Sequence, residues 1–449
     1  MCYAKWVTEN DMKSNLTEND IKKGIEKAGV PLICENNKFY VNNRGLGNMI
    51  IGSSGSGKTQ TTILPYLKLS ALAGENVVIN DPMGELYERT AGLFEQNDYK
   101  IIVLNLEDIT KGNNYNPLLL PYGLFVEGKK DQAVELLEDI GYYIFHEPKN
   151  IENDFWISNS VNYFTGLALY LFDNAKEDEI NFNSIYALAN ELIERERIEE
   201  FKKNLDKSSA VYYNISATIN APNETRGGII ATFNQKMGKI VSREGLTNML
   251  SNSDFSLKEL VKEKFIIYII ASIGLFNSEF TSMIVNQIHD AIKIYGDKTK
   301  KTNMILDEFK MMLPLKNLTS LINNGRCLGI NYTIVVQSFT DLKQMYEKDE
   351  LEVLKMQFPN IIYLLSNDIN TLKEISDLCG NTKIGKEIKP LITPEELKCL
   401  DIFEAVILCV RMHPFRTKLI PDYKIEWNLS YENKKMDDRK VTEIRIFNL

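Results

Sequence analysis

The chain lacks any apolar run long enough to cross a bilayer. Its longest, Phe265-Ile266-Ile267-Tyr268-Ile269-Ile270-Ala271, falls far short of the ~20 residues a spanning helix needs and reads as a buried strand. Histidine is scarce, and the six cysteines (Cys2, Cys34, Cys327, Cys379, Cys399 and Cys409) are scattered without metal-type pairing. His146-Glu147 also lacks the second histidine of a helical zinc motif. These gaps argue against a zinc site and suit reduced thiols in the cytoplasm. The opening stretch, Met1 to Leu16, mixes charged with polar residues and reads as no secretory signal. A basic excess is missing too: 61 Asp and Glu against 52 Lys and Arg leave a formal charge of −9, which argues against broad nonspecific affinity for nucleic acid. The nearest basic stretch, Lys236 to Arg243, reads as a solvated helix end. Trp156, among Tyr163, Phe164 and Tyr170, reads as helix packing, and Cys327 as a small core filler.

What is present is more specific. Gly52-Ser53-Ser54-Gly55-Ser56-Gly57-Lys58-Thr59 is a complete Walker A sequence, and it stands between the apolar Met49-Ile50-Ile51 and the helical pattern that begins at Gln60. Glycines let successive backbone N–H groups curl around phosphate, and the helix that follows turns its positive end to the anion. Lys58 is placed to reach the β/γ-phosphates, and the Thr59 hydroxyl to ligate Mg²⁺. The expectation is a nucleoside triphosphate site built on Gly52 through Gln60.

Hydrolysis needs a second cluster. Asn303-Met304-Ile305-Leu306-Asp307-Glu308-Phe309 reads as Walker B, an apolar strand that ends in paired carboxylates. Asp307 suits the Mg²⁺ shell, and Glu308 suits orienting and deprotonating the attacking water. A β-branched run, Asn331 to Val336, ends in Gln337 where a γ-phosphate sensor would stand. Arg326, just upstream, could reach a neighbouring subunit's phosphate as an arginine finger, or be a surface arginine at a helix end; its chemistry alone leaves both readings open.

Strand-like runs appear at 48–51, 76–80, 100–106, 265–271, 304–306, 332–336, 360–364 and 405–410, most of them separated by helical patterns. Such alternation predicts an α/β fold with a largely parallel sheet covered on both faces. Between about 121 and 225 the strand signal vanishes, and apolar residues recur at helical spacing over 131–145, 155–172, 182–201 and 211–219. The organisation expected is an N-terminal segment 1–46, a nucleotide-binding domain in two parts, 47–121 and 226–449, and an all-α insert at 122–225. With 44% hydrophobic residues the chain can bury a large core.

The Walker A loop, Asn80-Asp81-Pro82-Met83-Gly84-Glu85-Leu86, Tyr115-Asn116-Pro117-Leu118, Asp154-Phe155-Trp156, Leu306-Asp307-Glu308-Phe309, Gly325-Arg326 and Gln337-Ser338 occur in the order of the type IV secretion coupling proteins. The chain resembles a TraG/TraD-type conjugative DNA transfer ATPase. The likeness extends to Lys5 through Met12 and to Thr371 through Ser376, with Gly380 and Thr382. It implies a RecA-like P-loop fold, ATP and Mg²⁺ as ligands, and a hexameric ring that moves single-stranded DNA with its bound relaxase. A ring of this kind tolerates an acidic total, because it threads DNA past a few pore residues. The resemblance also places Arg326 at the finger position and associates the helical insert with substrate contact. Two departures stand out: Met83 occupies a position where the family usually has lysine, and the transmembrane helices typical of members do not precede Lys5. The reading is then a cytoplasmic chain, peripheral at the inner face of the membrane through an anchoring partner among the other secretion components. The alternatives are a secretion receptor for protein effectors and a nucleotide-dependent scaffold.

Overall fold

The computed structural model describes residues 3–35, 37–42, 47–146, 154–272, 274 and 276–449, with the side chain of Arg195 set aside. Met1, Cys2, Gly45, Glu147 and Pro148 lie outside the described residues. The chain forms two compact units, one from 1–102, 261–270 and 292–435, the other from 103–260, 271–291 and 436–449.

The first unit opens with a small antiparallel sheet of β1 (Thr17–Asp20), β2 (Pro31–Glu35) and β3 (Lys38–Val41), ordered β1-β3-β2. It then supplies β4 (Asn48–Gly52), β5 (Asn76–Asn80), the start of β6 (Lys100–Asn105), β7 (Phe265–Ile270), β8 (Thr302–Leu306), β9 (Ile330–Val336) and β10 (Asn360–Leu365). A two-stranded hairpin follows, β11 (Asn381–Ile384) with β12 (Glu387–Pro390), and last come β13 (Glu404–Leu408) and β14 (Phe415–Lys418). The main sheet runs β14-β13-β10-β4-β9-β8-β5-β7-β6. Pairings from β10 through β7 are parallel, whereas β13 and β14 join antiparallel at one edge.

Full burial of β4, β5, β7 and β8 explains why these strands read as continuous apolar runs rather than as alternation. A parallel sheet carries its ligand sites at the carboxyl ends of its strands, where the order of connection changes direction. Here the first strand of the large sheet, β4, lies between the two late strands β10 and β9.

The second unit is helical. Its longer helices are Lys130–Phe145, Asp154–Asn174, Phe182–Glu191, Arg195–Asn204, Ala210–Ile219 and Asn223–Val241. The sequence reading closes the helical stretch at 225, but Glu244–Ser251 and Leu257–Leu260 continue it to the threshold of β7. Gly227, Gly228 and Gly238 dilute the apolar periodicity of Asn223–Val241 and hide its continuation. Residues 436–449 belong to this unit as well. Arg439, almost fully buried, donates to the carbonyls of Asn105, Ile109, Lys111 and Asn113.

Three smaller expectations meet the structure here. Trp156 is half-buried, with its indole against Gly228. Lys236 is buried rather than solvated and donates to the His146 carbonyl at 3.3 Å. Cys327 is exposed, because Ile322 and Gly325 take the inward positions of its helix. No helix among the described residues is long and apolar enough to cross a membrane.

Candidate functional site

The loop after β4 is shaped by what its glycines permit. A Cβ on Gly52 would lie 2.4 Å from Ser56 Oγ and 2.9 Å from Lys58 Cγ, so only glycine lets the chain fold back on itself there. Gly55 and Gly57 have φ of 79° and 90°, in the left-handed region that side chains avoid. Ser53 N–H donates to Leu365 O at 2.8 Å, which ties the loop to the end of β10.

Lys58 is 8% exposed and donates to Gly52 O at 2.5 Å and Ser53 O at 3.4 Å. Burial pushes the pKa of its ammonium down, while the charges of Glu308 and Asp307 push it up. Thr59 begins a wide turn, Thr59–Ile63, in which Leu64 N–H reaches back five residues to Thr59 O. The hydroxyls of Thr61 and Thr62 are taken up by Gly57 O and Lys58 O, at 2.9 and 2.5 Å.

Ser56 Oγ and Gln60 Oε1 are buried and lack hydrogen-bond partners among the described residues. The orphaned Ser56 hydroxyl, in a glycine cradle with a lysine at its mouth, fits a bound polyphosphate, whose oxygens would accept its proton. The oxygen donors Thr59 and Asp307 fit a hard cation such as Mg²⁺.

The acidic side stands on β8 and its neighbours. Asn80, the last residue of β5, donates from Nδ2 to Asp307 O at 2.7 Å, and Glu308 N–H donates to Asp307 Oδ1 at 2.9 Å. Glu308 itself is held at φ 46°, ψ 51°, a left-handed conformation costly for a side-chain-bearing residue. Its carboxylate accepts from Gln337 Nε2 at 3.1 Å to Oε2 and 3.4 Å to Oε1. Gln337 follows β9 directly, and its backbone is fixed by N–H donation to Asp341 Oδ2 at 3.2 Å and by acceptance from Ser366 Oγ at 3.3 Å. Lys58, Asp307, Glu308 and Gln337 therefore gather at the carboxyl ends of the adjacent strands β4, β9 and β8. Arg326 lies elsewhere: it is exposed in the last turn of Leu318–Cys327, and no hydrogen bond named here for those four residues involves it.

Asp307 is nearly buried, and burial first, then the charge of Glu308, pushes its carboxyl up to about 7. Asp81 stands just past β5 and is almost fully buried; burial pushes it up to about 6 against hydrogen bonds from the backbone of Tyr87, Leu86 and Gly84. In the sequence Asp81 falls within the Asn80–Leu86 motif and carries no site role there. Its signal was the pattern of Asp307, an acid immediately after an apolar strand, and the register of Asn80 opposite Leu306 sets the two acids level on adjacent strands.

A pH dependence follows from the raised Asp307 carboxyl. Between its ordinary value near 3.8 and about 7, the folded chain holds a proton there that the unfolded chain releases. The contribution to stability is thus present at low pH and lost as pH rises through 7. Without nucleotide, Asp307→Asn should be more stable than the parent at pH 8, by roughly 2 kcal/mol or more, and the advantage should vanish towards pH 4. Thermal unfolding across that range is the check; a variant less stable at every pH would contradict it.

The sheet, the loop and the paired acids define a P-loop protein of the RecA-like α/β class. The chain belongs to the type IV secretory system conjugative DNA transfer family, whose sequence model matches residues 3–388. It is similar to the conjugal transfer protein TraG of Rhizobium radiobacter, with 23% identity over 365 residues, which cover 79% of this chain and 55% of that protein. The chain spans about half the length of the curated relatives it matches. Among solved structures it is similar to the plasmid coupling protein TrwB in complex with ADPNP, with a TM-score of 0.73, 14% identity, and coverage of 97% of this chain and 96% of that one. TrwB in complex with ADP and Mg²⁺ superposes with a TM-score of 0.71 at 14% identity, over 98% of this chain and 96% of that one. At such identity these two show the shared fold.

Proposed function

We propose that the chain is an ATP-hydrolysing motor subunit that moves single-stranded DNA, with its bound relaxase, to the channel of a conjugative type IV secretion system. The observation that carries the reading is the Gln337–Glu308 contact, within reach of the Lys58 charge, which supports a water-activating role for Glu308 and a sensing role for the Gln337 amide. Relatives support it: TraG is a conjugal transfer protein, and TrwB has been seen with ADPNP and with ADP and Mg²⁺.

Each side chain then has one task. The backbone of Gly52 to Gln60 and the Lys58 ammonium hold the phosphates, and Lys58 leaves Gly52 O to do so. Thr59 and Asp307 hold Mg²⁺, which when bound neutralises charge that develops on the phosphates. Glu308 takes the proton of the attacking water. Gln337, whose amide bonds the Glu308 carboxylate, would exchange that bond for one to the γ-phosphate and so report its presence.

Ring assembly, with six copies as the resemblance implies, gives the exposed Arg326 its role: it completes the site of a neighbour as an arginine finger. Arg326→Ala should lower turnover by ~10²-fold or more while leaving nucleotide binding intact. Mixing Arg326→Ala subunits with inactive Lys58→Ala subunits should restore part of the activity, because some sites then pair an intact loop with an intact neighbouring arginine. Normal assembly without restoration would remove the trans assignment. The proposal includes a position at the inner face of the membrane, in contact with a membrane protein of the secretion system. The test of substrate is ATP turnover with single-stranded DNA, duplex DNA or a secretion-signal peptide. Stimulation by single-stranded DNA is expected, and stimulation by the peptide alone would assign the motor to protein effectors.

A further inference from the structure

Phe403 lies in the loop between the short helix Pro394–Lys398 and β13, with its backbone at φ 67°. An aromatic residue in the left-handed region is strained and persists only where its surroundings hold it. They do so here: Leu419 N–H donates to Phe403 O at 2.8 Å, and Glu404 N–H to Asp401 O at 2.9 Å. Asp401 N–H in turn donates to Glu404 Oε2 at 3.1 Å, and Glu404 is bonded to Arg416 at 2.7 Å. The result is a half-buried ring pressed against the Walker A loop. A Cβ placed on Gly57 would come within 2.7 Å of both Cδ1 and Cε1 of Phe403.

The sheet order says which part of a bound nucleotide this ring meets. β13 runs antiparallel to β10, with Tyr363 opposite Val406, so the start of β13 lies at the carboxyl end of β10, the edge to which Ser53 is tied. Asp307 and Glu308 follow β8, two strands from β4 on one side; Phe403 precedes β13, two strands from β4 on the other. A nucleotide with its β- and γ-phosphates between Lys58 and Glu308 turns its nucleoside end the opposite way, to Phe403.

We propose that Phe403 is the stacking platform for the base of the bound nucleotide, an assignment that rests on the ATP reading above. A bare ring recognises a π face rather than a pattern of donors and acceptors, so the subsite favours large purines over pyrimidines through contact area. The strained backbone holds the Cδ1–Cε1 edge of the ring against Gly57, where a side chain at 57 would displace it.

The test compares Mg-ATP with Mg-tripolyphosphate by calorimetric titration of the full chain. Phe403→Ala should weaken ATP about 10-fold or more and tripolyphosphate less than twofold. Phe403→Trp should restore ATP affinity, whereas Phe403→Leu, which keeps bulk against Gly57 without a π face, should not. Equal losses for both ligands in Phe403→Ala and Phe403→Leu would make the ring a mere buttress of the loop and overturn the proposal, as would unchanged ATP affinity. Failure of the parent to bind either ligand would instead bring down the ATP reading, and the base subsite with it.

Discussion

Glu308→Gln should bind ATP within about threefold of the parent and hydrolyse it at least ~10³-fold more slowly, a loss of the size that removal of a positioned general base brings. The asymmetry comes from where the carboxylate acts. Glu308 is not among the groups that cradle phosphate; it stands beyond Asp307, strained at φ 46° and bonded to Gln337. The amide keeps the shape and can still bond Gln337, but it accepts no proton from water, so the effect falls on the transition state alone. Turnover near that of the parent would remove Glu308 as the base. Equal losses in binding and turnover would mean that it shapes the ground-state site instead.

Lys58→Ala should act on binding first, weakening Mg-ATP by roughly 10²-fold and abolishing measurable turnover, since a charge-assisted contact to phosphate is among the stronger single interactions available. The ammonium is already desolvated and held by two carbonyls of its own loop, so its transfer to phosphate requires little reorganisation. Calorimetric titration of ATP into each variant separates the two cases. A Lys58→Ala protein that bound ATP like the parent would contradict the cradle, provided that its thermal unfolding matched.

The parallel strands were legible because their burial on both faces leaves unbroken apolar runs, and the Walker loop because its glycines and lysine serve one geometry at fixed spacing. Other parts gave no such signal. β1 is Thr-Glu-Asn-Asp, and β11 with β12 is exposed and lysine-bearing; both are held by antiparallel pairing, β1 with β3 and β11 with β12, rather than by an apolar face. Arg439 reads as a surface residue near the chain end, and only tertiary structure brings the carbonyls of Asn105 to Asn113 around it. In the site, Lys58, Asp307, Glu308 and Gln337 came from sequence order, whereas Asp81 needed the β5–β8 register and Phe403 needed the contact with Gly57.

The central claim is that this site couples ATP hydrolysis to single-stranded DNA. It is tested most directly by the steady-state ATP turnover of the intact chain with single-stranded DNA, duplex DNA and no polymer, titrated with salt and run beside Glu308→Gln. Turnover should rise with single-stranded DNA above both other conditions, decline steeply as salt displaces phosphate contacts, and be lost in the variant. Turnover indifferent to DNA at every salt concentration, or undiminished in Glu308→Gln, would contradict the account.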